Sequence, residues 1–166
     1  AGGTKFVVGV VAAPDDIRET ERFDTTTPDE TIGSVIAWLK DARGRHGALA
    51  AIGIASFGPL ELERSAANWG HITATTKAHW SDSDFGARVE RELGLPVGFD
   101  TDVNGAALAE SRWGAGQDQR ACVYVTIGTG IGGGAIIDGK PLHGLSHPEM
   151  GHIRPQRHPD DMGFAG

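Results

Sequence analysis

Cysteine occurs once in these 166 residues, at Cys122, inside an apolar run and without a mate. A disulfide framework is thereby excluded, and a reducing compartment is expected. No apolar stretch approaches the roughly 20 residues that a bilayer crossing takes, and no charged-then-apolar leader opens the sequence. The expectation is a cytoplasmic protein with no membrane partner. Basic charge is scarce as well: 15 Lys and Arg against 22 Asp and Glu leave a formal charge of −7. Without a basic cluster, nucleic acid makes a poor main partner. No P-loop pattern occurs, so any nucleotide must be held in another way. Ser56 has no G-x-S-x-G setting and Cys122 has no histidine close in sequence, so nucleophilic hydrolase chemistry is disfavoured. An initiator methionine is absent, the first residues already lie inside a glycine motif, and Gly163 to Gly166 finish no helix or strand. The chain therefore reads as a piece of a longer polypeptide.

Glycine, by contrast, is abundant, with 25 residues. Five of them fall between 128 and 134, in YVTIGTGIGGG (residues 124–134), behind the apolar alternation of Val123, Val125 and Ile127. A run of amides in such a turn makes an anion-binding concavity, and Thr126 and Thr129 add hydroxyl donors. Gly128, Gly130 and Gly133 also match G-x-G-x-x-G. A dinucleotide fingerprint, however, must lead from strand into helix. Here the glycines lead into AIIDGKPL, whose Asp138-Gly139 is a hairpin turn pair, so the reading is strand, glycine loop, strand. Gly2-Gly3-Thr4-Lys5 forms a second, smaller glycine turn at the start. A ligand with phosphates would sit between the two, at a domain cleft.

The remaining chain alternates between strand and helix signals. Phe6–Ala12 and Ile17–Thr26 read as a hairpin about Pro14-Asp15-Asp16. Thr27 caps a helix with Pro28 in its first turn and Glu30 three residues on, and Ile32, Val35, Ile36 and Leu39 share one face. Gly44 and Gly47 end it. Ala48–Ser56 is expected to be a buried strand. Residues 60–81 read as irregular. A helix capped by Asp82 or Asp84 runs to Leu93, a strand covers Leu95–Phe99, and a helix covers Val103–Gly114. Residues 114–120 form a hinge-like connection. This order gives an α/β layer followed by the beginning of a second one.

Several side chains could do chemistry there. Asp102 stands between a strand and a helix, where a carboxylate can accept a proton from a hydroxyl, or it can be an N-cap, as can Asp100 or Thr101. His143, His147, His152 and His158 gather near Glu149. They read either as metal ligands, since imidazole suits zinc, or as solvated loop residues. Trp69, Trp80 and His79 read either as a sugar-stacking platform or as cover for a loop.

Taken together, the segments AGGTKF (1–6), SFGP (56–59), TATTKAHW (73–80), FDTDVNGAALAE (99–110), YVTIGTGIGGGAII (124–137) and LSHPEMGHIRPQRHPDD (145–161) resemble the ROK family of sugar kinases, nearest its fructokinase branch. The resemblance implies the actin-like ATPase (ribonuclease H-like) fold. Residues 1–115 would be an N-terminal sugar-kinase domain lacking its first residues, and residues 116–166 the truncated start of an ATP-binding domain. It implies an ATP- and Mg²⁺-dependent transfer of phosphate to a hexose, fructose giving fructose 6-phosphate, in a homodimer when full length. Gly2, Gly3, Thr4 and Lys5 would form the first phosphate turn, and Thr126, Gly128, Thr129, Gly130 and Gly132 the second. Asp102 would be the general base, and Thr101, Asn104, Glu149 and His152 would contact the sugar. Thr101 stands where many glucokinase-like relatives carry Asn. His152 would also be the first ligand of a structural zinc whose other ligands follow Gly166. The same family includes sugar-sensing transcriptional regulators, and a non-catalytic sugar-binding remnant is the third reading.

Overall fold

The computed structural model describes residues 1–128, 130–153, 156 and 158–160. Strands β1 (Lys5–Ala13) and β2 (Asp16–Asp24) pair antiparallel, with Phe6 opposite Phe23 and irregular register past Val10. Helix α1 (Pro28–His46) follows. Thr27 is its extended N-cap, with Oγ1 accepting from the Glu30 amide at 3.4 Å, and Asp29 and Glu30 complement the positive end of the helix dipole. Gly44 lies within the helix. The stop comes at Gly47, where φ is 83°, a value that glycine adopts without cost.

A parallel pair, β3 (Ile52–Ser56) and β6 (Val97–Thr101), forms the second sheet. Between its strands lie β4 (His71–Ile72), β5 (Ser83–Asp84) and helix α2 (Gly86–Leu93). The stretch expected to be irregular thus contributes β4, paired antiparallel to β5. The helix expected from Asp82 or Asp84 begins later, behind Phe85, which offers no side-chain cap. Asp84 still serves that end, its Oδ1 accepting from the Arg88 amide at 2.9 Å. Asp82 is outside the helix, at φ 59°, beside His71.

The core lies among α1, α2, β1 and the 57–85 segment: Phe6, Ile32, Val35, Ile36, Leu39, Ile72, Trp80, Phe85 and Val89 are all buried. Phe6 packs against both Trp80 and Phe85, with ring centroids 5.5 and 5.3 Å apart. The tryptophans therefore serve as core and cover, not as a sugar platform. Trp80 is fully buried with its Nε1 donating to Thr26 O, and Trp69 is covered by the Arg64 guanidinium 3.7 Å from its ring centroid. The strand expected to be buried, Ala48–Ser56, is shorter and less covered than its composition suggests. Only residues 52–56 pair, and Gly53 is exposed.

Helix α3 (Asp102–Trp113) leaves β6 directly, and Gly114–Arg120 carries the chain into a three-stranded sheet of β7 (Ala121–Ile127), β8 (Ile131–Ile137) and β9 (Lys140–Pro141). The glycine stretch is a β-hairpin, as the sequence predicts, with Asp138 and Gly139 turning β8 into β9 at positive φ. A single 3₁₀ turn covers Met150–His152. Among the described residues no helix is long and apolar enough to cross a membrane.

Candidate active site

The first glycine turn is closed by a hydrogen bond from Gly2 N to Lys5 O at 3.0 Å. It is fastened from behind by Thr25, whose Oγ1 donates to Gly2 O and whose amide donates to Thr4 O. A shallow pocket of about 370 Å³ opens over it, lined by Gly2, Gly3, Thr4, Lys5 and Asp102. A Cβ on Gly3 would meet nothing within 4 Å, so a ligand has free approach to that backbone. The structure thus brings the expected phosphate turn and the expected base to one place.

Asp102 reaches that place because β6 ends at Thr101 and α3 begins at once. Thr101, not Asp102, is the N-cap: its Oγ1 accepts from the Asn104 amide at 3.1 Å. Asp102 is freed from capping and stays accessible, its Oδ1 accepting from its neighbour, the Val103 amide, at 2.9 Å. Partial burial raises its carboxyl above the usual range, and nearby Glu149 adds to the rise. The Val103 amide and the Ala1 ammonium work in the opposite direction.

Behind Asp102 stands a layer that the sequence reading missed. Asp100 Oδ1 accepts from Asn104 Nδ2 at 2.9 Å, and Asp100 Oδ2 faces His143 Nε2 at 2.9 Å. Asn104 is thereby held through one of its two amide hydrogens. Its Oδ1, fully buried, has no partner among the described residues. Such an orphan acceptor costs about 1–3 kcal/mol if it stays unmet. The missed signal was the second carboxylate beside the candidate base, two residues before it on the same strand end.

Glu149 lies between two histidines, with Oε1 3.4 Å from His147 Nδ1 and Oε2 3.2 Å from His152 Nδ1. His147 is not a solvated loop residue. It is 7% exposed, and its Nε2 accepts the Leu60 amide at 3.0 Å. That bond leaves Nε2 bare and puts the ring proton on Nδ1, facing Glu149. The Glu149 carboxylate is thus oriented from the distant 58–60 segment. His158 sits apart, beside Asp160 at 3.5 Å. Among the described residues no three His, Cys, Asp or Glu side chains converge as a metal site. His152, the first zinc ligand that the resemblance implies, is paired with Glu149 at 3.2 Å.

The second glycine turn divides into two parts. Cβ atoms on Gly128 and Gly130 would meet nothing within 4 Å, so the tip faces open space. At Gly132 a Cβ would stand 3.1 Å from Val103 Cγ1, and at Gly134 it would collide with Val103 O. These two glycines therefore let β8 lie directly on the first turn of α3, beside Asp102. Thr126 is exposed on β7, and Thr129 lies outside the described residues. The last segment of the resemblance, residues 145–161, is described only in part.

Two layers of α/β structure, a glycine turn opposite a strand-end carboxylate and a second glycine hairpin against the same helix define an actin-like ATPase architecture. The ROK family model matches residues 1–164, and the chain belongs to that family. It is 51% identical over 166 residues to a fructokinase from Zymomonas mobilis, covering 99% of this chain and 55% of that one. Among solved structures it is similar to a ROK family glucokinase from Streptomyces griseus in complex with glucose and AMPPNP, at TM-score 0.77 and 32% identity over 93% of this chain and 48% of that one. It is also similar to a ROK hexokinase from Thermus thermophilus, at TM-score 0.78 and 29% identity over 94% and 52% of the two chains. The chain spans about half the length of each of these three relatives.

Proposed function

We propose that this chain carries the sugar-facing half of an ATP-dependent hexose kinase whose substrate is fructose. The observation that carries the reading is the meeting of the Gly2–Thr4 turn with Asp102 in one pocket. In this account the sugar's other hydroxyls reach Glu149. The hydroxyl to be phosphorylated gives its proton to Asp102 as it attacks the γ-phosphorus, and the bond from that phosphorus to the bridging oxygen breaks to release ADP. The nucleotide enters as its magnesium complex, with its phosphates against the glycine-turn amides. Phosphoryl transfer depends mainly on such positioning and charge neutralisation. Fructose, rather than glucose, is supported by the fructokinase relative at 51% identity.

Titration of the isotopically labelled chain with fructose tests the site. The resonances of Gly3, Asp102 and Glu149 are expected to shift. Those of Trp69 and Trp80 are expected to stay in place. His147→Ala should weaken the affinity several-fold, because it removes the ring that stands 3.4 Å from Glu149 Oε1. His147→Asn, which can still donate to Glu149, should recover part of it. Shifts centred on His79 and the tryptophans would refute the assignment.

A further inference from the structure

The Asp100 carboxylate gathers donors from two layers of the molecule. Its Oδ1 accepts the Thr101 amide at 2.7 Å and Asn104 Nδ2 at 2.9 Å, and its Oδ2 faces His143 Nε2 at 2.9 Å. A carboxylate only accepts, so Nε2 of His143 carries the proton of that bond, and it can do so whether the ring is neutral or charged. Thr101 Oγ1 in turn accepts the Asn104 amide at 3.1 Å. The bonds among Asp100, Thr101 and Asn104 close a ring at the start of α3 that leaves Asp102 outside it. Thr101 and Asn104 are both buried, so the ring is anchored in the interior. Asp102, whose Oδ1 accepts the adjacent Val103 amide, takes its direction from that turn.

The sheet of the glycine hairpin reaches this turn twice. Gly134 of β8 lies against the backbone of Val103 and Asn104, where a Cβ would collide with Val103 O. His143 stands just beyond β9, the strand paired to β8, and returns to Asp100 across 43 residues. The hairpin is thus fastened to the start of α3 by one backbone contact and one side-chain bond. We propose that His143, acting through Asp100, is a positioning residue for phosphoryl transfer: it fixes the first turn of α3, and Asp102 with it, relative to the glycine hairpin. The inference rests on the kinase reading, in which the phosphates lie against glycine-turn amides while Asp102 takes the proton. Hydroxyl, base and phosphorus must then keep their alignment, and a misplacement of about 1 Å can cost about a hundredfold in rate. The His143 side chain is 42% exposed, so its ion pair contributes little to folding, and its removal separates alignment from stability.

The test uses a polypeptide that carries the remaining length of the matched relatives. His143→Ala is expected to lower kcat for fructose phosphorylation by about ten- to a hundredfold, with KM for fructose changed by no more than about twofold. The melting temperature should stay within about 2 °C. His143→Gln, whose amide nitrogen can take the place of Nε2, should restore most of the rate. In an Asp102→Asn background the alanine substitution should cost no more than about twofold further, because it acts through the base. An unchanged kcat, a loss confined to KM, a glutamine variant no better than alanine, or an equal loss in both backgrounds would overturn the proposal. If the parent polypeptide transfers no phosphate, the kinase reading fails by itself, and hydrogen exchange on the same polypeptides decides whether His143 holds the turn. His143→Ala should then speed exchange at the Thr101 and Asn104 amides by about tenfold, and His143→Gln should not. Equal exchange in the parent and both variants would overturn the fastening as well.

Discussion

Asp102→Asn is expected to lower phosphoryl transfer from ATP to fructose by roughly 10²–10⁴-fold, the usual contribution of a positioned general base. The measurement needs a polypeptide carrying the remaining length of the matched relatives, since the 166-residue chain alone should turn over little or not at all. The loss should fall on kcat and spare fructose affinity. The asparagine oxygen can still accept the Val103 amide, so the first turn of α3 keeps its shape, but it cannot take the sugar's proton. The pH dependence follows from the same carboxyl. Burial raises it, so the active, ionised form is lost as pH falls through a value above the usual carboxylate range. The acidic limb of kcat/KM should lie correspondingly high, and it should vanish in the variant's residual activity. Stability should move the other way. A carboxyl raised in the folded state contributes stability at low pH that is lost as pH rises through the folded pKa. Asn at 102 removes that loss, so at neutral pH the variant should melt no lower than the parent. A variant that melts well below the parent would mean that Asp102 is structural.

Trp80→Ala is expected to cost about 3–5 kcal/mol of folding stability, the range for removing a large aromatic side chain from a core. Trp80 is fully buried, stacks near Phe6 and Phe57, and spends its Nε1 proton on Thr26 O just ahead of α1. The substitution leaves a cavity between the hairpin and the 57–85 segment and an unmet carbonyl at the start of the helix. Denaturant unfolding reads the loss as a lower midpoint. A sugar platform would behave differently: fructose affinity would fall while the midpoint held.

Much of this architecture was readable from the residues because local signals agreed with tertiary demands. Thr27-Pro28-Asp29-Glu30 started a helix as its chemistry requires, and Asp138-Gly139 turned a hairpin. Asp102 was legible as a carboxylate at a strand end, although its freedom from capping depends on Thr101 taking that role. Other features were hidden because long-range packing decides them. Nothing local distinguishes a tryptophan that covers a core from one that meets a sugar, and 54 residues separate Trp80 from its hydrogen-bond partner. His147 finds Leu60 across 87 residues and His143 finds Asp100 across 43, so both roles were invisible in a list of loop histidines. The glycines of β8 were ambiguous for another reason. Close approach to a phosphate and close approach to the backbone of α3 ask for the same residue, and Gly132 and Gly134 meet the second demand.

The most direct test of the central claim is transfer of labelled γ-phosphate from magnesium ATP to fructose by a polypeptide that contains this chain and the remaining length of its relatives. The account predicts that the label appears on the sugar as fructose 6-phosphate, at a rate that depends on Asp102. Release of labelled inorganic phosphate alone, unchanged by fructose or by Asp102→Asn, would contradict it.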